Sequence, residues 1–266
     1  MNELYLELMI KCLTNEIYGE SEYVPAVRNR FVGKFFNQVL NTFGFHFIKK
    51  QGFNLQKRHS GLDWPPYAHT MVGRKRLENT LYCVKHILEN NIDGDFIETG
   101  VWRGGSTIFM RAILKTYNVS HKTVWVADSF EGLPAPNEKV YPDDMGDVHY
   151  TFDELKVTLD SVRNNFKKYD LLDDQVKFLK GWFKDTLPTA PIEKLSLIRL
   201  DGDMYESTMD AIVSLYPKLS PGGFLIVDDY CIKACSKAIA DYRAANNITE
   251  EIIDIDGTGV YWQKAR

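Results

Sequence analysis

The sequence has few cysteines, and none of them has the spacing that binds a metal through sulfur. Its 266 residues include four cysteines, Cys12, Cys83, Cys231 and Cys235, and no C-x-x-C pair. This argues against a zinc site built from paired cysteines and against a disulfide framework. We expect reduced thiols in a cytosolic protein.

Long hydrophobic runs and an excess of positive charge are also absent. No apolar stretch is long enough to span a bilayer, and the polar residues Asn2, Glu3 and Glu7 argue against an N-terminal signal peptide. The formal net charge of -4 gives no electrostatic footprint for nucleic acid. We therefore predict a cytoplasmic protein without a membrane span or a nucleic-acid partner.

Two common nucleotide-binding signatures are missing as well. There is no G-K-[ST] P-loop, and Gly100, Gly104 and Gly105 are spaced G-x-x-x-G-G, unlike the G-x-G-x-x-G of dinucleotide folds. The glycines nevertheless lie between a short apolar strand and a helix predicted at 108–117, which favours a ligand-binding turn. Glu98, just before this turn, would repel a pyrophosphate but could accept a hydrogen bond from an ammonium group. S-adenosylmethionine therefore suits the site better than NAD, although such a turn can also be a simple connection.

From residue 95 onward, apolar strands alternate with helices, the pattern of a parallel α/β sheet. The last two strands are joined across Asp256-Gly257-Thr258-Gly259, which predicts a hairpin. This topology resembles the class I methyltransferase fold, a Rossmann-like seven-stranded sheet that ends in an antiparallel hairpin. We place this domain at residues 91–266.

Residues 1–90 are predicted to form a helical extension. The apolar residues Leu4, Leu6, Leu8, Met9, Cys12 and Leu13 form one stripe, and Phe35, Phe36, Val39, Leu40, Phe43 and Phe45 form another, which is followed by a basic stretch. An amphipathic helix with a basic end could lie on a membrane. Packing on the main domain or on a second subunit is the simpler interpretation.

Polar and aromatic residues at further strand ends extend the candidate pocket. Asp128 ends the second strand, where nucleoside-binding folds place a carboxylate for the ribose hydroxyls, although Asp128 and Ser129 could also cap the next segment. Trp182 and Phe183 follow the third strand after Gly181 and could cover an adenine, whereas core packing is the alternative for Trp182. His149 lies in a long polar loop, where a lone histidine is more often solvated than catalytic.

Four acidic residues follow two apolar strands. Asp201 and Asp203 come directly after the strand 195–200, and Asp228 and Asp229 come directly after the strand 224–227. If these strands are neighbours, the four carboxylates meet and need a compensating cation, for which oxygen ligands favour Mg²⁺. The alternative is that each pair caps the following helix. We assign Asp201, Asp228 and Asp229 as metal ligands and Asp203 as the general base, a division that strand alternation alone does not determine.

Several segments together resemble the macrocin O-methyltransferase family, whose members methylate sugar hydroxyls of tylosin, mycinamicin and novobiocin. The matching segments are Thr70-Met71-Val72-Gly73, Phe96-Ile97-Glu98-Thr99-Gly100-Val101-Trp102-Arg103-Gly104-Gly105, Val126-Ala127-Asp128-Ser129-Phe130, Leu171-Leu172-Asp173-Asp174-Gln175-Val176, Gly181-Trp182-Phe183-Lys184-Asp185-Thr186-Leu187-Pro188, Leu200-Asp201-Gly202-Asp203 and Val227-Asp228-Asp229-Tyr230. The resemblance extends from about Leu4 to the C-terminus.

The resemblance implies an O-methyltransferase that depends on Mg²⁺ and S-adenosylmethionine and is usually dimeric. It places Thr70, Met71, Glu98, Thr99, Gly100, Val101, Trp102, Asp128, Ser129, Phe130 and Phe183 at the cofactor. It also implies the division of roles among the four acids stated above, and it assigns the N-terminal helices to closing the site and to the subunit interface. The segments 31–58 and 134–150 depart from the family pattern, so the acceptor could be a sugar of a natural product or of a glycan.

Three other functions compete with sugar methylation. A metal held by strand-end acids also suits the vicinal hydroxyls of a catechol-like acceptor. A binding module that has lost activity would keep the pocket, although the complete set of acids argues against it. A dinucleotide oxidoreductase is disfavoured by the glycine spacing.

Overall fold

The structure is a computed structural model that describes residues 2–19, 22–25, 42, 44–45 and 48–265. Its described strands are β1 (Glu22–Pro25), β2 (Ile48–Gln51), β3 (Asp95–Thr99), β4 (Val124–Asp128), β5 (Val176–Lys180), β6 (Leu195–Leu200), β7 (Leu219–Val227), β8 (Ile253–Asp254) and β9 (Val260–Gln263). Its described α-helices are α1 (Asn2–Leu13), α2 (Leu55–Ser60), α3 (Arg74–Glu89), α4 (Gly105–Thr116), α5 (Leu159–Lys168), α6 (Phe183–Thr186), α7 (Tyr205–Leu215) and α8 (Lys233–Ala245).

Strands β3 to β9 form one sheet in the order β5-β4-β3-β6-β7-β9-β8. The pairs from β5 to β7 are parallel, and β9 runs antiparallel to both β7 and β8. This confirms the predicted class I methyltransferase fold and its C-terminal hairpin. The strand order changes direction between β3 and β6, and the crevice at such a switch point is where open α/β sheets bind ligands.

Both faces of the sheet are buried under helices. Successive residues of a strand point to opposite faces, so each strand contributes side chains to both cores. Phe96, Leu197 and Phe224 belong to the core on one face, together with the inner sides of α3 and α4. Ile198 and Leu225 belong to the core on the other face, with α7 and α8. The strands therefore read as nearly continuous apolar runs, as parallel strands covered on both faces do.

The first helix is part of the main core. Leu6, Met9, Ile10 and Leu13 of α1 are buried in the same cluster as α3 and α4. Leu4, which the predicted stripe included, is 76% exposed, because the buried face is centred on Leu6 and Leu13.

The prediction that residues 1–90 are helical is wrong at two places. Glu22–Pro25 and Ile48–Gln51 pair as antiparallel strands, so the basic residues Lys49 and Lys50 lie in β2 and are exposed there. The second predicted stripe lies almost entirely outside the described residues. Among the described helices, none combines the length and the hydrophobicity that crossing a membrane requires.

Strand β7 is longer than predicted. The sequence predicts a strand at 224–227, but β7 begins at Leu219 and includes residues 220–223, Ser-Pro-Gly-Gly. Gly222 has a φ of +83°, and the pairing with β6 shifts register between Leu195 and Leu197. Proline and glycine normally end a strand, but β7 contains them at an irregularity in its pairing with β6.

Candidate functional site

The register of the central strands brings the predicted acids together. Leu200 pairs with Thr99 of β3 on one side and with Val227 of β7 on the other. The ladder continues for one residue, since the Asp228 amide donates to the Leu200 carbonyl at 2.8 Å. Asp201 and Asp228 therefore leave the sheet side by side, as the sequence predicted from their positions after neighbouring strands.

The glycine-rich turn lies against the first of these acids. The backbone of Gly100 has a φ of +82°, and a Cβ atom placed there would lie 1.6 Å from the carbonyl oxygen of Asp201. At Gly105, a Cβ would lie 2.5 Å from the His69 carbonyl oxygen, to which the Gly105 amide donates a hydrogen bond. Only glycine permits these approaches, so the turn packs directly on β6 and on the segment before α3.

A cavity of about 340 Å³ opens beside this turn. Eleven of the thirteen residues predicted to bind the cofactor line it: Thr70, Met71, Glu98, Gly100, Val101, Trp102, Asp128, Ser129, Gly181, Trp182 and Phe183. The other two, Thr99 and Phe130, are buried and do not line it, and Phe130 lies in the core next to Phe178. Asp201 and Asp203 line the same cavity, whereas Asp228 and Asp229 adjoin Asp201 outside the lining.

Glu98 offers a hydrogen-bond acceptor within this cavity. Its side chain is 2% exposed, and its Oε1 accepts a hydrogen bond from Arg199 at 2.5 Å. Its buried Oε2 has no hydrogen-bond partner among the described residues. Burial raises the pKa of Glu98 to about 8, against the opposing effect of Arg199. A buried acceptor without a partner is costly, so this oxygen favours a ligand that carries a donor, such as an ammonium group.

Asp128 already supports the surrounding turns. One carboxylate oxygen accepts from the Val101 amide at 2.8 Å, and the other accepts from the Phe130 amide at 2.6 Å. Each carboxylate oxygen has two lone pairs, so Asp128 can still accept from a ligand hydroxyl. It therefore joins the end of β4 to the glycine-rich turn in addition to lining the cavity.

Three of the four acids form a cluster that could hold a metal ion. Asp201, Asp228 and Asp229 each offer a carboxylate oxygen, and these three atoms lie within 4.8 Å of one another. Burial would raise the pKa of Asp228, but ion pairs with Arg199 and Arg76 outweigh burial and lower it. Burial and the neighbouring charge of Asp228 instead raise the pKa of Asp201 to about 6. The remaining repulsion among these groups is what a bound cation would relieve.

Asp203 stands next to this cluster on a strained backbone. Its φ is +58°, and its amide donates to a carboxylate oxygen of Asp229 at 3.1 Å. Burial and the charge of Asp201 raise the pKa of Asp203 to about 7, while His149 opposes the rise. Trp102 and Phe130 at the same site also have positive φ, at 47° and 59°. Such conformations cost about 1–3 kcal/mol each and are typical of functional sites.

The loop that contains Asp144 and Glu154 lies over the cavity and runs between the glycine-rich turn and α7. The buried carboxylate of Asp144 accepts from the amides of Tyr205 and Glu206 at 2.5 and 3.0 Å, which caps a helix whose own N-cap, Met204, provides no side-chain bond. The indole of Trp102 donates to the Glu154 carbonyl at 2.8 Å. The loop is therefore tied to both walls of the cavity.

His149 lies between these two attachments. Its Nδ1 is 2.8 Å from a carboxylate oxygen of Asp147. The sequence favoured a solvated histidine here. The structure leaves its side chain 35% exposed, which agrees with that interpretation, and pairs it with Asp147.

Sequence reasoning missed the basic residues of the site. Arg199 contacts Glu98, Asp201 and Asp228, while Arg76 contacts Asp228 and Asp256. Arg199 could have been recognised from the sequence as a lone charge in an otherwise apolar strand, because a buried charge requires partners. Arg76 had no comparable signal, since polar residues are ordinary in an amphipathic helix.

The chain is similar to known proteins over nearly its whole length. A sequence model described as Macrocin-O-methyltransferase (TylF) matches residues 2–264. Demethyldecarbamoylnovobiocin O-methyltransferase from Streptomyces niveus is 48% identical and covers 100% of this chain and 95% of its own. The 8-demethyl-8-(2,3-dimethoxy-alpha-L-rhamnosyl)-tetracenomycin-C 4'-O-methyltransferase from Streptomyces olivaceus is 49% identical, over 98% of this chain and 92% of its own. The solved structure of the O-methyltransferase NovP superposes with a TM-score of 0.87 at 47% identity and covers 100% of both chains.

The contact between Gly100 and Asp201 predicts a large loss of stability when a side chain is added. Gly100→Ala combines a left-handed backbone with a clash at 1.6 Å, so we expect it to lower the free energy of unfolding by about 3 kcal/mol or more. Gly257→Ala is the matched control, because Gly257 has a similar φ of +86° and no atom within 4 Å of the added Cβ. We expect a loss of about 1 kcal/mol for the control. Urea denaturation compares the two variants, and equal losses would contradict the close packing of the turn on β6.

Proposed function

The chain belongs to the macrocin-O-methyltransferase (TylF) family, and from that premise we propose that it methylates a sugar hydroxyl of a glycosylated natural product. Membership in the family and the named relatives make it an S-adenosylmethionine-dependent O-methyltransferase. The acceptor, the metal and the role of each residue are our proposals.

One observation carries the proposal about the site. A single cavity is lined both by the glycine-rich turn with Glu98 and by Asp201 and Asp203. A methyl donor held by the turn and a hydroxyl held by the acids would therefore meet in one cavity. Holding two reactants in contact contributes much of the rate enhancement in such transfers.

For the cofactor, the donors and acceptors of the cavity fit the groups of S-adenosylmethionine. Glu98 would accept from its ammonium group through Oε2, the buried oxygen for which the described part of the chain provides no partner. Asp128 would accept from the ribose hydroxyls, and the rings of Trp182 and Phe183 would cover the adenine, since all three residues line the cavity.

The acceptor is proposed from a relative. The tetracenomycin enzyme that is 49% identical is named for the 4'-position of a substrate that carries a dimethoxy-rhamnosyl group. By analogy, we propose that a deoxysugar of a natural product is the acceptor for this chain. A sugar in a glycan and a catechol remain the alternatives to be tested against it.

For the metal, the donor set fits Mg²⁺. Asp201, Asp228 and Asp229 offer oxygen atoms alone, and these lie close enough to be bound by one ion. Although Asp201 and Asp228 are paired with arginines, every carboxylate oxygen has a second lone pair for the ion. When bound, the ion would supply a Lewis acid that lowers the pKa of the acceptor hydroxyl.

We propose Asp203 as the general base. It lines the cavity next to the metal cluster without belonging to it, so its carboxylate is available for the proton that the hydroxyl loses. The amide of Asp203 donates to Asp229, which fixes the distance of the base from the ligands.

We also propose that residues 1–90 form the extension that helps to close the site and that joins two subunits in a homodimer, with residues 91–266 as the catalytic domain. Leu4, Leu8, Ile17 and Tyr18 are apolar or aromatic residues in or near α1 that remain exposed, which supports an intermolecular contact there.

An acceptor panel tests the proposed function directly. Purified protein, S-adenosylmethionine and Mg²⁺ are incubated with aryl and natural-product glycosides of 6-deoxysugars, with glycan oligosaccharides and with catechols. We expect a methyl group on a sugar hydroxyl of the deoxysugar glycosides, measured by mass spectrometry together with release of S-adenosylhomocysteine. Methylation of catechols alone would contradict the sugar assignment.

The role of Asp203 predicts a selective loss of turnover. Asp203→Asn keeps the side-chain shape, and asparagine tolerates the left-handed backbone at φ +58°, so the variant should fold. We expect kcat to fall about 10²- to 10⁴-fold, while S-adenosylhomocysteine affinity stays within about twofold of the wild type. The exposed residue Asp185 provides the control variant Asp185→Asn, which should retain full turnover. A near-normal kcat in Asp203→Asn would remove this residue from its role.

A further inference from the structure

Arg199 lies at the centre of the site, yet the proposed mechanism gives it no task. It is the only charged residue of strand β6, Leu195–Leu200, and its side chain is 1% exposed. A guanidinium group keeps its charge in proteins, so a fully buried one requires anionic partners on several sides.

These partners come from both halves of the site. Nη1 of Arg199 donates to Glu98 at 2.5 Å and to Asp201 at 2.7 Å, and Nη2 donates to Asp228. Glu98 is the residue proposed for the cofactor ammonium, whereas Asp201 and Asp228 are proposed metal ligands. One rigid group with fixed donor directions therefore touches the carboxylates of both sites.

The three partners are not equally supported by other residues. Asp228 has a second arginine, since Arg76 donates to it at 2.5 Å and also pairs with Asp256. Among the described residues, Arg199 is the one basic side chain within ion-pair distance of Glu98 and of Asp201. The positions of these two carboxylates therefore depend on Arg199.

We propose that Arg199 is a positioning residue shared by the two sites, whose guanidinium orients Glu98 for the cofactor and Asp201 and Asp228 for the divalent cation. This inference rests on the proposed function. It makes the two sites interdependent: a change on the cofactor side alters the charge that Arg199 presents to the metal ligands.

The direction of this dependence follows from charge. If Glu98 loses its negative charge, the guanidinium is balanced by Asp201 and Asp228 alone and holds them more strongly. A cation must then compete for these two aspartates with a guanidinium whose charge is less neutralised. The cation also has one negative charge fewer nearby. Both effects weaken cation binding, although Glu98 is not a proposed metal ligand.

The first test replaces Arg199 by lysine, which keeps the charge but cannot bridge several carboxylates with a planar fork. Isothermal titration calorimetry measures the affinities of the full-length protein for Mn²⁺ and, separately, for S-adenosylhomocysteine. We expect Arg199→Lys to weaken both affinities by about 10-fold or more. The control is Arg111→Lys, the same change at a buried arginine that pairs with Asp173 outside the cavity, and it should keep both affinities within about twofold.

The second test does not require Arg199 to change. Measured at about pH 8.5, above the raised pKa of Glu98, Glu98→Gln should weaken Mn²⁺ binding about fivefold in the absence of cofactor, which a role confined to the cofactor would not produce. Asp210→Asn removes a carboxylate of the same cavity that does not contact Arg199, and it should leave Mn²⁺ affinity within about twofold.

The outcomes separate this inference from the proposed function. Unchanged affinity of Arg199→Lys for either ligand, or unchanged Mn²⁺ affinity of Glu98→Gln, would overturn the shared role. If Arg199→Lys does not fold, Glu98→Gln decides the question alone. If the wild type binds neither S-adenosylhomocysteine nor Mn²⁺, the proposed function itself fails.

Discussion

The ion pairs of one buried guanidinium hold the candidate site together. Arg199 donates to Glu98 from the neighbouring strand, to Asp201 at the end of its own strand and to Asp228 beyond the next strand. Burying these carboxylates without a cation would cost several kcal/mol per charge, so the arginine is what permits three of them to stand together. Their arrangement is therefore present before any ligand binds.

The backbone supplies the second constraint. Strand register carries Asp201 and Asp228 out of the sheet as neighbours, and the absence of a side chain at Gly100 lets the glycine-rich turn lie directly on Asp201. The proposed methyl donor and acceptor sites are therefore close because two strands and one turn are in contact. The loop that contains Asp144 then ties the start of α7 across the cavity.

Much of the site could be predicted from the sequence because its residues follow apolar strands. A run such as Leu195–Leu200 that ends in Asp201 predicts both a parallel strand and a polar residue at its functional end. The predicted bounds are accurate for this strand, 195–200, and poorer for β7, where Pro221 and Gly222 lie inside the strand.

The sequence could not reveal contacts between residues that are distant in the chain. Arg76 reaches Asp228 across 152 positions, and Asp144 caps a helix that begins 61 positions later. Such pairs leave no periodic pattern in the sequence, because each partner is an ordinary polar residue within its own segment. The effect of His149 on the pKa of Asp203 is a further example, because it depends on how the loop that contains His149 folds over the cavity.

We infer that Arg199 holds carboxylates from neighbouring strand ends in one cation site beside the cofactor cavity. A crystal structure with S-adenosylhomocysteine and Mn²⁺, with anomalous diffraction recorded at the manganese edge, tests this arrangement. We expect one strong anomalous peak at about 2.0–2.6 Å from oxygens of Asp201, Asp228 and Asp229, the range of hard-cation bonds, with Arg199 still in contact with Glu98. A peak elsewhere, or an Asp228 carboxylate directed away from Asp201, would contradict it.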